Sequence, residues 1–179
     1  FFNCEKSTGF LNDLNNFIKE CAKTNTLVVV DCISTFGIIP LDLSNVYMGC
    51  ASSGKAIGSY SGLSMVFFNE LQHSITSNIP VYLNIRNYIA KGGIPFTLNS
   101  NALYALGTAL EISDVDAKFK KVEEAGARIR NKLLSWNIDI GNNDTCNQHP
   151  AIITIRLSSR LESSTIGRLL EEKNIFVNY

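Results

Sequence analysis

The apolar run Leu27-Val28-Val29-Val30, closed by Asp31, constrains the fold of this chain more than any other segment. Consecutive apolar residues without polar alternation describe a strand covered on both faces, as in a parallel sheet packed between helices. Ahead of it, Leu11, Leu14, Ile18 and Cys21 recur at helical spacing and predict an amphipathic helix over residues 12–23, stopping near Thr24-Asn25. Phe1-Phe2 reads as the last piece of an earlier buried strand. Strand, helix, strand is a βαβ unit, for which a right-handed crossover is expected. Asp31 then lies at the carboxyl end of a buried strand, where open α/β sheets bind ligands. By position alone it also reads as a turn-forming residue or an N-cap.

Downstream, residues 46–50 and 63–68 predict two more strands. They flank the small-residue loop Ala51-Ser52-Ser53-Gly54-Lys55-Ala56-Ile57-Gly58. Residues 70–76 suggest a short helix, and residues 80–93 read as irregular, with Gly92-Gly93 and Pro95 as breakers. Asn99 or Ser100 can cap a helix lined by Leu103, Leu106 and Leu110. A longer helix is expected over 115–136, with Val115, Phe119, Val122, Ile129, Leu133 and Trp136 as its apolar stripe. Residues 151–157 read as a strand, Ser163 or Ser164 as the cap of a last helix to Lys173, and residues 175–179 as a strand just beginning. The composition shift at Gly92-Gly93 divides the chain into 1–93, the carboxyl half of a large domain; 94–114, a linker and interdomain helix; and 115–179, part of a smaller α+β domain. A chain that opens and closes inside strands is expected to be a piece of a longer protein.

Bulk properties narrow the function classes. The 179 residues carry a formal net charge of zero, so no basic surplus points to nucleic acid and no charge block to a disordered tail. The apolar runs fall far short of the ~20 residues a membrane-spanning helix needs. The five cysteines, Cys4, Cys21, Cys32, Cys50 and Cys146, are odd in number and scattered, indicating neither a disulfide framework nor a zinc site. A reducing, cytoplasmic setting is expected. His73 and His149 are isolated and read as surface or packing residues rather than ligands.

The chemistry rests on Asp31 and Lys55 together. A lysine in a glycine- and serine-lined turn, following a strand that ends in a carboxylate, suits pyridoxal 5′-phosphate: the lysine forms a Schiff base and the carboxylate keeps the pyridine nitrogen protonated. Beside a carboxylate the ring nitrogen holds its proton and serves as an electron sink. Ser52 and Ser53 offer hydroxyls for a phosphate. Taken singly, a lysine in a turn is more often a solvated surface residue. A competing pattern also runs through this loop. Gly49-Cys50-Ala51-Ser52-Ser53-Gly54-Lys55 matches most of the P-loop G-x-x-x-x-G-K-[ST], but Ala56 has no hydroxyl for Mg²⁺ and Gly58-Ser59-Tyr60-Ser61-Gly62 is a poor helix start.

Several motifs in order carry a resemblance. Asn3-Cys4-Glu5-Lys6-Ser7-Thr8-Gly9, then Asp31-Cys32-Ile33-Ser34-Thr35-Phe36-Gly37 with Pro40-Leu41-Asp42, then Ser52-Ser53-Gly54-Lys55, and later Ile94-Pro95-Phe96-Thr97 ahead of Ala102-Leu103-Tyr104-Ala105-Leu106, are similar to the class V aminotransferases of fold type I. That group includes the alanine–glyoxylate, serine–pyruvate and 2-aminoethylphosphonate–pyruvate transaminases. The resemblance implies an α/β fold, with the second half of a mixed, mostly parallel sheet followed by part of a small domain. It implies transamination between an amino donor and a 2-oxo acid, with pyridoxal 5′-phosphate on Lys55 and Asp31 at the ring nitrogen. Ser52, Ser53, Lys6, Ser34 and Thr97 are implied as further cofactor contacts, Thr97 toward the neighbouring subunit of a homodimer.

Departures from the pattern keep other readings open. Lys6 stands where the family has Ser or Thr, and Asn3 where a His is common. The family's phosphate cup lies upstream of residue 1 and its carboxylate-binding arginine beyond residue 179, so residues 1–179 alone are expected to be inactive and prone to association. A cofactor-free remnant or interaction module of the same fold is the alternative from another class. A cysteine desulfurase is disfavoured, because Gly54 replaces the His expected before the lysine. Tyr82, Arg86 and Tyr88 offer a substrate-binding cluster, although loop packing explains them as well.

Overall fold

Asp13 starts the first helix, its carboxylate accepting from Asn16 N at 2.9 Å, and Asn25, at a left-handed φ of 56°, stops the chain after it. The computed structural model describes residues 1–69, 78–141 and 147–177. In chain order the elements are β1 (Cys4–Glu5), β2 (Phe10–Leu11), α1 (Leu14–Lys23), β3 (Val29–Asp31), β4 (Met48–Ser52), β5 (Ser64–Phe68), a 3₁₀ turn (Val81–Leu83), α2 (Ile85–Ala90), α3 (Ser100–Glu111), α4 (Val115–Ser135) and α5 (Ser163–Glu171). They divide into two compact units, one of Phe1–Cys4 and Asn12–Phe119, the other of Glu5–Leu11 and Lys120–Tyr179. The break at Gly92-Gly93 therefore falls inside the first unit.

The first unit is organised by a three-stranded sheet in the order β3-β4-β5. Its β3 pairs parallel to β4, with Val29, Val30 and Asp31 opposite Met48, Gly49 and Cys50; β5 returns antiparallel to β4. Phe2 bridges to Asp31 in parallel, so the strand–helix–strand order of the sequence appears around α1. Leu14, Val28, Val30, Cys32 and Val46 form the buried cluster beneath the sheet, with Ile18 and Cys21 of α1 packed against it. A second cluster joins Ile57 and Leu63 to Ala102, Leu106 and Ala109 of α3.

The two faces of the sheet differ in exposure within this chain. Val30 is fully buried, but Val29 is 51% exposed, as are many of its facing neighbours in part. Strand register explains this: residues two apart share a face, so Val29, Asp31, Met48, Cys50, Ser52, Ser64, Val66 and Phe68 lie together on the more open face, and Val30, Gly49 and Ala51 on the closed one.

Residues 80–93 are not irregular throughout. Asn84 accepts from Arg86 N at 3.1 Å and starts α2, ahead of the Gly92-Gly93 breaker. Tyr82, Tyr88 and Phe96 pack with ring centroids 5.4–6.4 Å apart, and Tyr88 Oη donates to Tyr82 O at 2.9 Å, so these tyrosines support the loop. Of the two caps considered for α3, Asn99 serves, accepting from Asn101 N and Ala102 N. The expected helix over 70–76, with His73, and Cys146 lie outside the described residues.

In the second unit the expected strand over 151–157 is reduced to one bridge, Ile140 to Ile155. Its backbone is claimed elsewhere: Ile152 O accepts from Arg130 Nη2 at 3.0 Å, and Ala151 N donates to His149 Nδ1. Glu162 precedes α5 without a capping side-chain bond, so neither Ser163 nor Ser164 caps it. Residues 175–177 form no strand, because Ile175 N turns back to Leu170 O at 2.9 Å. His149 is 2% exposed and packs internally, and Arg130 Nη2 also donates to its carbonyl.

Gly126 of α4 sits against Pro150, where an added Cβ would collide with the Pro150 carbonyl oxygen and approach Arg130 Nη1 to 2.9 Å. In an exposed helix Gly→Ala gains up to about 1 kcal/mol. Here Gly126→Ala is expected to reverse sign and cost on the order of 1–3 kcal/mol by overpacking. Urea unfolding checks this, and a raised midpoint would contradict the contact.

Candidate active site

Parallel pairing puts the ends of β3 and β4 at the same edge of the sheet. Asp31 is the last residue of β3, opposite Cys50, and Lys55 follows β4 by three residues. Asp31 Oδ1 accepts from Ile33 N at 2.8 Å. The turn-forming reading is therefore realised, and it fixes the carboxylate while leaving Oδ2 without a partner among the described residues. Asp31, Cys50 and Ser52 share the open face by register, and Ser52 pairs with Ser64.

The Lys55 loop is closed by the residue two before it. Ser53 is fully buried; its Oγ donates to Tyr60 O at 2.7 Å and accepts from Leu63 N at 3.2 Å. Backbone bonds from Ser53 N to Leu63 O and from Ser59 N to Ser53 O complete the closure. The Ser53 hydroxyl is thus committed to the loop, whereas the Ser52 hydroxyl makes no hydrogen bond to the described residues. Gly54 faces Ser61 so closely that a Cβ would strike the Ser61 hydroxyl and lie 2.8 Å from its Cα. No side chain fits there. Lys55 itself is exposed, and its ammonium has no partner among the described residues.

The remaining candidates are spread more widely. Ser34 is half-buried in the turn after β3, and Thr97 is exposed between α2 and α3. Lys6 is exposed and belongs to the second unit. Its turn is set by Glu5, whose carboxylate accepts from Ser7 Oγ at 2.7 Å and Ser7 N at 3.1 Å; these bonds, the hydroxyl's first, hold its pKa below the ordinary 4.5. The structure therefore brings Asp31, Ser52 and Lys55 to one sheet edge. Sequence reading missed Ser53 as the clamp, and also Lys118, whose Nζ donates to Ala56 O at 2.9 Å. Neither role has a local signature, because both depend on distant backbone carbonyls.

As a donor set these residues suit an aldehyde-bearing pyridine with a phosphate: a lysine and a carboxylate oxygen with no partner among the described residues, a hydroxyl, and a loop with no side chain at Gly54. The neighbouring thiols are held toward the neutral form. Burial, then the nearby Cys50 and Asp31, pushes the Cys32 pKa from 9.0 to about 11. Burial, then Asp31, raises that of Cys50 as well.

A family model described as aminotransferase class-V matches residues 1–179, and the chain belongs to that family, which works with pyridoxal 5′-phosphate. The bifunctional phosphonoacetaldehyde hydrolase/aminoethylphosphonate transaminase of Clostridioides difficile (strain 630) is 27% identical over 164 residues, covering 84% of this chain and 26% of that protein. A protein of Synechococcus sp. (strain PCC 6716) named as a soluble hydrogenase small subunit is 27% identical over 183 residues, covering 94% and 47%. Alanine–glyoxylate aminotransferase from Nostoc sp. superposes with a TM-score of 0.87 at 22% identity, covering 99% of this chain and 51% of that one. The fold is that of the fold type I aminotransferases. The chain spans between a quarter and about half of the length of these proteins.

A raised thiol pKa stabilises the folded state while the thiol is neutral in both states, and that stability is lost as pH rises from the unfolded to the folded value. For Cys32 the loss falls between pH 9 and about 11. Urea midpoints are expected to drop across this window, and Cys32→Ala to flatten that slope; an unchanged slope would place the titration elsewhere.

Proposed function

We propose that this class-V aminotransferase chain carries the lysine and the ring-nitrogen carboxylate of a pyridoxal 5′-phosphate-dependent transaminase. The reaction would pass an amino group from an amino acid or aminophosphonate to a 2-oxo acid. The observation that carries this reading is the placement of Asp31 and the clamped Lys55 loop at the carboxyl ends of adjacent parallel strands. The aminophosphonate class is favoured by the C. difficile relative, named as an aminoethylphosphonate transaminase. A cytoplasmic homodimer, with Thr97 toward the partner's cofactor phosphate, belongs to the same proposal. No helix among the described residues is long and apolar enough to cross a membrane.

When bound, the cofactor supplies the electron sink. The chain's residues do the rest. Lys55 Nζ would hold the cofactor and would be the group that moves the proton at the substrate carbon. Asp31, its carboxylate anchored through Oδ1, would hold the ring nitrogen and keep it protonated. Ser52 would donate to the phosphate. Ser53 and Gly54 hold the loop that presents Lys55. The non-catalytic reading draws on Lys6 and on the internal commitment of the Ser53 hydroxyl; it predicts no covalent cofactor.

Lys55→Ala in the full-length protein is expected to abolish turnover and the borohydride-sensitive absorbance band near ~400–430 nm, with little change in the unfolding midpoint. Transamination at the wild-type rate would remove Lys55 from its role. Asp31→Asn is expected to keep the band but slow proton transfer by orders of magnitude and weaken cofactor retention, since a charge-assisted hydrogen bond contributes about 1.5–3 kcal/mol. Normal kinetics in that variant would mean the carboxylate serves only the turn.

A further inference from the structure

We propose that Lys118 is a positioning residue for Lys55, gripping the backbone of the loop one residue beyond it; this rests on the reading of Lys55 as the covalent anchor. Lys118 lies in the first turn of α4, half-buried, and its Nζ donates to Ala56 O at 2.9 Å across 62 positions of sequence. A second, longer contact of 3.5 Å runs to Ser113 Oγ. The turn that presents it is itself fixed. Asp114 Oδ1 accepts from Ala117 N at 2.9 Å, and Asp114 O accepts from Lys118 N at 2.9 Å.

A lysine ammonium is strongly hydrated and normally keeps its head in water. One drawn onto a backbone carbonyl in a partly buried place therefore marks a carbonyl that the fold must hold. That carbonyl is the one immediately after Lys55. On the other side Ser53 clamps the loop, and Ile57, next after Ala56, is buried against Leu63, Ala102, Leu106 and Ala109. The backbone around Lys55 is thus held from both flanks while its own ammonium has no partner among the described residues. Without the grip, the backbone around Lys55 is left with the bond from Gly58 N to Lys55 O and, across its ends, that from Ser59 N to Ser53 O among the described residues. Those two amides report whether the loop opens.

Lys118→Met keeps the stem and removes the donor; Lys118→Arg keeps a charged donor. In cofactor-free full-length protein, amide exchange at Gly58 and Ser59 is expected to quicken about tenfold in Lys118→Met and to return toward wild type in Lys118→Arg. Mixed with pyridoxal 5′-phosphate, Lys118→Met is expected to form the borohydride-reducible adduct on Lys55 more slowly, and Lys118→Arg to recover the rate. Amides of the β3–β4 ladder, protected in both variants, show that the fold is intact. Exchange at Gly58 and Ser59 within roughly twofold of wild type in Lys118→Met would overturn the proposal. A wild-type protein that forms no adduct on Lys55 would instead overturn the reading of Lys55 and leave the exchange result to judge the grip.

Discussion

The parallel pairing of β3 with β4 is the contact on which the rest of the site depends. It sets Asp31 opposite Cys50 and thereby fixes how far the Lys55 loop starts from the carboxylate. A slip of one residue would turn Asp31 to the closed face, into the cluster of Val28, Val30 and Cys32. A carboxylate there would face a steep desolvation cost. Burial of Val30 and Ala51 on one face thus enforces the placement of Asp31, Cys50 and Ser52 on the other. The proposed site inherits its placement from hydrophobic register rather than from any bond between its polar groups.

The loop adds a second layer. Ser53, Gly54 and Ile57 convert a small-residue turn into a closed structure: a buried hydroxyl bridging two backbone groups, a position with no room for a side chain, and an apolar anchor against α3. An exposed lysine set in such a frame differs from an ordinary surface lysine in its backbone, not in its own contacts.

Much of this was legible in the sequence. The period of Leu14, Ile18 and Cys21, and Asn99 before Ala102 and Leu106, placed α1 and α3 closely, because apolar stripes and caps are local signals. The runs at residues 27–30 and 63–68 placed two of the strands. What stayed hidden is non-local. Half of the β3 run faces the open side although every residue is apolar. The segment around Ile152 spends its backbone on Arg130 and His149 instead of a ladder. Ser53 looked like a phosphate donor because composition alone cannot show that Tyr60 and Leu63 occupy its hydroxyl. Lys118 sits among other lysines of α4, and only its contact with Ala56 sets it apart.

The central claim, that Lys55 is the residue which holds the cofactor, is tested most directly by reducing the full-length protein with borohydride after incubation with pyridoxal 5′-phosphate and mapping the modified peptide by mass. A single pyridoxyl group on Lys55 is the expected result. A group on Lys6, on Lys118 or spread over several lysines, with Lys55 unmodified, would contradict it.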